Sequence, residues 1–444
     1  MKKTLKTIAL FLMAALVIVS CIGCGNNKKK KPGEVLSGEL ELTMPEYDLG
    51  DNKSVKVLSH DASVFSKAKE AFEQAYSGTF EVDVVPFDNL KTKFVNGIMS
   101  NDAHDLARSF STAIVKRNFI VPVTDYIDIN TNLWENMLPL MDSWKYNNKY
   151  YNAFVAQECT TCWWYNAEIF EEYGEKTPVE YLNEDNWTWD TMRDLAKRLT
   201  IDKDGDGAID QYGACLEQPW NLLTSTGRMF LDYDENGNAK NALTGERVTR
   251  TMNFYQNLSV KDKVLGGNET QFIQGKVAML QSAMWIAVKF PEQKEAGTFH
   301  IMPDPKDPLA DKYYIPDFSY NWVIPAGAKN PKGAAALLCT ARFLVAQQEN
   351  KERNGGEVET YDFYKGCEQC KEVTADMRNN HERYTPASQK DFTIYELSSI
   401  SYDMWWGMGI LDGKPWSAIA EQLNPIVDEA ISRADDQSAL VEEE

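Results

Sequence analysis

Two β-branched runs on either side of a helical stretch constrain this chain more than any other feature. Ser54 to Leu58 is the first run; Val64, Phe65, Ala68, Ala71, Phe72 and Ala75 then recur at helical spacing, and Phe80 to Val85 is the second run. Strand, helix and strand in that order imply a parallel pair, because parallel strands need a crossover and a helix is its usual form. The predicted fold class is therefore α/β. In open sheets of this kind ligands gather at the carboxyl ends of the strands. That puts Ser59, His60 and Asp61, the loop after the first strand, beside a candidate cleft.

The chain has 444 residues, more than one ordinary core holds, so two or more lobes are expected. Its first residues are a different matter. Lys2, Lys3 and Lys6 precede the apolar run Ile8 to Val19, which is too short to span a bilayer, since a spanning helix needs ~20 residues. The pattern reads as a secretory signal over 1–23 ending in a lipoprotein cleavage site. Ile18-Val19-Ser20-Cys21 fits such a site at every place. Cys24 has the common small residue, Gly23, before it and a tether-like Gly25-Asn26 after it, so Cys24 is the favoured acylation site, with Cys21 the alternative. Residues 24–52 read as a flexible tether, in which Lys28 to Lys31 add attraction to anionic head groups.

Lys and Arg number 46 against 66 Asp and Glu, and removing the three signal lysines carries the net charge from −20 to −23. Such a surface excludes nucleic acid as a partner and suits neutral ligands or cations. Beyond Cys21 and Cys24 six cysteines remain, with two CxxC pairs. Cys159 and Cys162 lie in an extended run, where residues three apart point to opposite faces, so a disulfide between them is not expected. Cys367 and Cys370 can meet across one turn; a local disulfide and unpaired thiols are both open. Nothing brings the two pairs together into a zinc site.

Further along, Tyr150 to Tyr165 reads as a long extended run, and Gly174 as the stop of a helix over Ala167 to Tyr173. Thr188 is a helix cap ahead of an apolar face made of Trp189, Met192, Leu195, Ala196 and Leu199. Asp202-Lys203-Asp204-Gly205-Asp206-Gly207-Ala208-Ile209-Asp210 follows. It matches the first nine positions of an EF-hand calcium loop, but the twelfth place is Gly213 where a bidentate acid is usual. Two readings stay open: structural Ca2+ on Asp202, Asp204, Asp206 and Asp210, or an acidic, glycine-rich turn with no ion. No cofactor is otherwise expected.

The order of four stretches resembles the type 1 extracellular solute-binding proteins, the family of maltose-binding-type sugar-binding lipoproteins. They are Trp164-Tyr165-Asn166-Ala167-Glu168-Ile169-Phe170 with Gly174 and Asn186-Trp187-Thr188-Trp189-Asp190; Asp206-Gly207 with Tyr212-Gly213; Gln271-Phe272-Ile273-Gln274-Gly275-Lys276-Val277-Ala278-Met279 with Trp285; and Asn321 to Ala336 around Ala328-Lys329-Asn330-Pro331. The resemblance runs from Val55 to Ile431, and 355–391 departs from the family pattern. It implies a two-lobed periplasmic-binding-protein-like fold (type II) with the ligand cleft between lobes. The N-lobe would take 53–155 plus 318–350, the C-lobe 156–317 plus 351–435, and 436–444 would be an acidic tail. Crossings are placed near Phe154 to Cys159 and Pro316 to Trp322.

The resemblance also implies an ABC importer's binding protein: lipid-anchored on the extracytoplasmic face of the cell membrane, monomeric, and delivering a sugar or oligosaccharide to permease subunits. A sugar offers an apolar C–H face and a rim of hydroxyls, so aromatic planes and fixed polar groups must both be present. By position in the family pattern, Trp285 and Trp220 are stacking residues, with Glu217 and Gln218 beside Trp220. Arg108, Ser109 and Ser111 would line the N-lobe wall, and Glu158 would sit at the first crossing. Of Trp405 and Trp406, adjacent on a helix, one at most reaches ligand, and Trp405 is the candidate. Trp187 and Trp189 are assigned to the core.

Two other classes compete. A glycoside hydrolase needs two carboxyls facing each other at about 5 to 9.5 Å; acids abound, but the four histidines form no HExxH or triad-like signature, and no enzyme is expected. A binder for a peptide or other polar solute, or a surface glycan receptor without transport, is the alternative.

Overall fold

The computed structural model describes residues 42–109, 113–157, 161–317, 321–354, 356, 367–388, 390–391 and 397–435. The signal, both candidate lipidation cysteines, the tether up to residue 41 and the acidic tail lie outside them, as do Ser111, Glu158 and Cys159. Among the described residues no helix is long and apolar enough to cross a membrane.

The strands are β1 (Ser54–Ser59), β2 (Thr79–Val84), β3 (Leu106–Ser109), β4 (Ile120–Val121), β5 (Thr161–Asn166), β6 (Tyr212–Leu216), β7 (Leu231–Tyr233), β8 (Ala239–Asn241), β9 (Val277–Ala283), β10 (Phe299–Met302), β11 (Tyr313–Asp317), β12 (Asn321–Pro325) and β13 (Tyr384–Ser388). They form a five-stranded sheet in the order β2-β1-β3-β12-β4 and a four-stranded sheet in the order β10-β5-β9-β6, with β11-β13 and the hairpin β7-β8 as two-stranded accessories. β1 runs parallel to both β2 and β3, as the opening pattern requires, and β12 enters antiparallel between β3 and β4.

Each large sheet has its own core. In the first, alternation sends Val55 and Val57 of β1 with Trp322 and Ile324 of β12 to one face, and Leu58 with Val323 to the other. Both faces are covered, which is why these strands carry apolar residues on both sides. The 23-residue helix Pro331–Arg353 covers the first face. Its cap, Asn330, accepts from Gly333 N at 2.8 Å and donates to the carbonyls of Asn52 and Ser54. In the second sheet Trp163, Trp164 and Tyr165 of β5 are all buried, as are Trp187 and Trp189. The helix Trp189–Arg198 is capped by Thr188, whose hydroxyl accepts from Thr191 N at 3.3 Å, and it buries Met192, Leu195 and Ala196. Gly174, at φ +63, follows the helix Ala167–Glu172 and its C-cap Tyr173, as the sequence pattern predicts.

The extended run read over Tyr150 to Tyr165 is not one strand. Ala153 forms an isolated antiparallel bridge with Trp322, and the chain then passes to the second sheet, where β5 begins at Thr161. The return passage runs from Asp317, at the end of β11, to Asn321. Four residues reach at most ~14 Å, so the two cores are held close together. Asn152 Nδ2 donates to Asn321 Oδ1 at 2.8 Å, tying the two passages where they meet the first sheet.

Cys367 and Cys370 form a disulfide with Cα atoms 5.2 Å apart, closing the first turn of the helix Glu368–Asn379. Between them, Gln369 lays its side-chain amide along the outer strand of the second sheet: Ile301 N donates to its Oε1 (2.9 Å) and its Nε2 donates to Ile301 O (2.7 Å). Gly213, the residue at the twelfth loop position, lies in β6 against the backbone of Ala196, which leaves no space for a Cβ. A packing requirement of strand against helix therefore accounts for the glycine where an EF-hand has an acid.

Candidate functional site

β1, β2 and β3 are parallel and end at Ser59, Val84 and Ser109, and β12 starts opposite Ser109 at Asn321. In the second sheet β6, β9 and β10 share one direction, and β5 starts opposite the end of β9, with Thr161 facing Ala283. The first passage thus leaves the first sheet and enters the second at the carboxyl ends of their parallel strands, and the return passage, coming from β11, enters the first sheet at that same end. The side chains projecting there form the candidate ligand site.

On the first sheet, Ser59 is fully buried and its Oγ accepts from Asp61 N at 3.1 Å. It shapes the loop from beneath, where the sequence reading placed it among the ligand contacts. Asp61 Oδ1 accepts from Ser63 N and Ser63 Oγ, both at 2.8 Å, and these bonds hold its carboxyl below the usual range. His60 stands next to Arg108, with Nε2 3.5 Å from the guanidinium. Burial, then Arg108, lowers its pKa from the ordinary value, so the imidazole is neutral at pH 7. Arg108 is buried and lies over the Trp322 ring at 5.9 Å. Phe87, which the sequence reading missed, meets His60 edge-to-face at 5.2 Å.

On the second sheet, the segment after β6 is held by the end of β9. Glu217 N donates to Gln281 O (3.0 Å), Gln218 N donates to Gln281 Oε1 (2.8 Å), and Ser282 Oγ donates to Glu217 Oε2 (2.5 Å). Trp220 caps the short helix Asn221–Thr224 and is partly buried. Its ring meets Trp406 edge-to-face at 5.8 Å, and Trp406 meets Tyr402 at 5.6 Å. The three rings make a shelf whose outer member, Tyr402, is 61% exposed. Trp285, after β9, is 55% exposed, with Lys289 Nζ 5.0 Å from its ring centre.

Trp405, the expected contact of the adjacent pair, is instead 0% exposed and packs on Tyr255 at 5.0 Å inside the core. Its neighbour Trp406 is the ring at the surface. The spacing held the signal: Ile400 and Met404, four apart, are buried, whereas Tyr402 and Trp406, also four apart, share the other face.

Beneath the shelf is an acid with no counterpart in the sequence reading. Asp304 is buried and accepts from Trp163 Nε1 at 2.9 Å, and desolvation pushes its carboxyl up to about 7. Asn221, which follows Trp220, donates to Thr161 Oγ1 at 2.8 Å and also bonds Asp304.

Of the four loop aspartates, Asp202, Asp204 and Asp210 bring one oxygen each within 4.8 Å of the others; Asp206 is not in that group. Asp202 accepts from Gly205 N and Gly207 N, Asp204 from Asp206 N, Asp206 from Ala208 N and Asp210 from Lys203 N. Backbone N–H groups thus occupy part of the carboxylate capacity that a cation would need.

Two α/β cores joined by short passages, with aromatic and polar side chains at the joined edges, define the class of two-lobed binding proteins. The chain belongs to the bacterial extracellular solute-binding protein family, whose model matches residues 59–345. It is similar in structure to a cyclo/maltodextrin-binding protein complexed with maltotetraose (17% identity, 86% of this chain and 98% of that one, TM-score 0.61). It is also similar to the sugar-binding protein MalE from Xanthomonas citri (15% identity, 88% and 100%, TM-score 0.62). A third likeness is to an ABC substrate-binding protein from Listeria monocytogenes in complex with cycloalternan (16% identity, 86% and 100%, TM-score 0.56). A search of curated protein sequences gave no match.

Proposed function

We propose that this protein captures a sugar or short oligosaccharide between its lobes and hands it to the permease of an ABC importer, held to the outer face of the membrane by an acylated Cys24. The aromatic shelf of Trp220, Trp406 and Tyr402 next to the Glu217–Ser282 pair carries this reading. Flat rings take the C–H face of a pyranose, and a carboxylate fixed by a hydroxyl donor presents its remaining acceptor capacity to sugar hydroxyls. The sugars bound to the similar structures, maltotetraose and cycloalternan, support it. Export and anchoring rest on the signal and the Cys24 site.

A thermal-shift screen of the mature domain against mono- and oligosaccharides tests the ligand class, because a ligand at 100 times its Kd adds ~2.7 kcal/mol of stability. A domain stabilised by peptides and by no sugar overturns the reading. Replacing both Cys21 and Cys24 by Ser tests the anchor; a processed chain that stays on the membrane rules it out.

A further inference from the structure

Asp304 stands two residues past the end of β10, at the edge where β6, β9 and β10 all finish. Acids are seldom fully buried unless they are paired, yet this one is 3% exposed. Its Oδ1 accepts from Trp163 Nε1, and its Oδ2 is buried and accepts from no described residue. Asn221 ties Asp304 to Thr161, where β5 begins, and it directly follows Trp220 of the shelf. These two residues open a helix of one turn, Asn221–Thr224, closed by bonds such as Leu223 N to Trp220 O at 2.9 Å. Of the parts that cover Asp304, this turn lifts most easily, because β5 and β10 are secured in the sheet.

Neither β5 nor the helix Asn221–Thr224 brings a charged side chain to Asp304. Its donors, Trp163 and Asn221, are neutral, and burial outweighs them, which sets its titration at about 7. Lys306 and Asp307, next along the chain, are paired with Asp185 (3.1 Å) and Arg250 (2.6 Å). His300 of β10 bonds the Tyr165 hydroxyl, and burial lowers its pKa, so it is already neutral where Asp304 titrates. Glu217, the acid beside Trp220, is held by Ser282.

We infer that Asp304 is a positioning residue for the shelf: as a neutral acid it lets Asn221 and Trp220 sit closed over it, and as a carboxylate it draws them open, so sugar is held by the protonated chain. The inference rests on the sugar reading above. A buried carboxylate regains water most cheaply by lifting the Asn221 turn, which carries Trp220 away from Trp406. A sugar stacked on Trp220 holds that turn down, and by reciprocity makes the proton harder to remove. Affinity is therefore level below about pH 7, where the free chain already holds the proton, and falls as pH rises through it.

Calorimetry from pH 5.5 to 9 with gluco-, xylo-, galacto- and manno-oligosaccharides one to four rings long, repeated at pH 8 in two buffers of different ionisation enthalpy, tests it. The parent should bind roughly five- to tenfold more weakly at pH 9 than at pH 6, and should take up protons on binding at pH 8. Asp304→Asn, neutral at every pH, should bind at pH 9 about as it does at pH 6 and take up none. The proton count on the parent holds whether or not the variant folds. A level profile or no proton uptake in the parent overturns the inference while the sugar reading stands. An Asp304→Asn profile that falls like the parent's assigns the proton to another group and also overturns it. If the parent binds no member of the series at any pH, the sugar reading fails and the inference goes with it.

Discussion

At the scale of single residues, Asp304 joins burial to pH. Its carboxyl titrates at about 7 in the fold, against 3.8 as the ordinary value. From about pH 4 to 7 the unfolded chain has therefore lost a proton that the folded chain keeps. Stability from this group must fall as pH rises through that window and level off above it, by up to roughly 1.4 kcal/mol per pH unit. Asp304→Asn keeps an acceptor for Trp163, so melting curves from pH 4 to 8 should show a smaller decline than the parent and a higher Tm at pH 8. An unchanged slope would remove Asp304 as the cause. The two adjacent tryptophans give a second contrast. Trp405→Ala should cost ~3 to 5 kcal/mol of folding stability, as a core truncation does, whereas Trp406→Ala should leave the melting point near the parent's and lower sugar affinity by ten- to seventyfold, for ~60 to 100 Å² of stacking at ~25 cal/mol per Å². Equal melting points for the two variants would contradict the burial difference. The sequence brought attention to this pair and to Trp220. It could not rank neighbours on a helix without weighing the four-residue spacing on each side. Phe87 and Asp304 were invisible for another reason: one lies alone after a proline, and the other is perturbed only by the packing around it.

Among elements, the packing of β6 on the helix Trp189–Arg198 shows what sequence patterns can and cannot carry. The helix was legible from its cap and apolar spacing, and the acidic loop after it from its alternation. The role of Gly213 was not, because close approach between a strand and a helix backbone leaves no trace in a single sequence. Gly213→Ala should force the two elements apart and cost about 1 to 3 kcal/mol, the range for overpacking. Urea unfolding checks this, and a midpoint unchanged from the parent would show that the contact gives way without strain. Cys367 and Cys370 were similarly undecided, since the spacing allows them to meet across one turn without requiring that they bond. The helix start brings the two Cα atoms within disulfide reach.

In the whole molecule, the Ala153–Trp322 bridge and the Asn152–Asn321 contact pin both passages at one end. Both contacts lie on the first core's side, so relative motion of the cores is expected to bend the passages beyond them. Sugar binding is expected to reduce the radius of gyration, and small-angle scattering with and without the preferred oligosaccharide measures it. An identical radius in both states would sink closure as the binding motion. A reduced radius would tie apparent affinity to how often the free chain visits the closed arrangement.

The side chain of Gln369 has a different consequence, for how many copies can live side by side. An outer strand with unpaired N–H and C=O groups invites the same strand of a neighbour to pair with it, and this is the usual start of sheet-to-sheet aggregation. By occupying both groups of Ile301, Gln369 plugs the middle of β10, and the Cys367–Cys370 bond keeps the plug seated. Crowded copies of this chain are therefore expected to lack that point of pairing on β10.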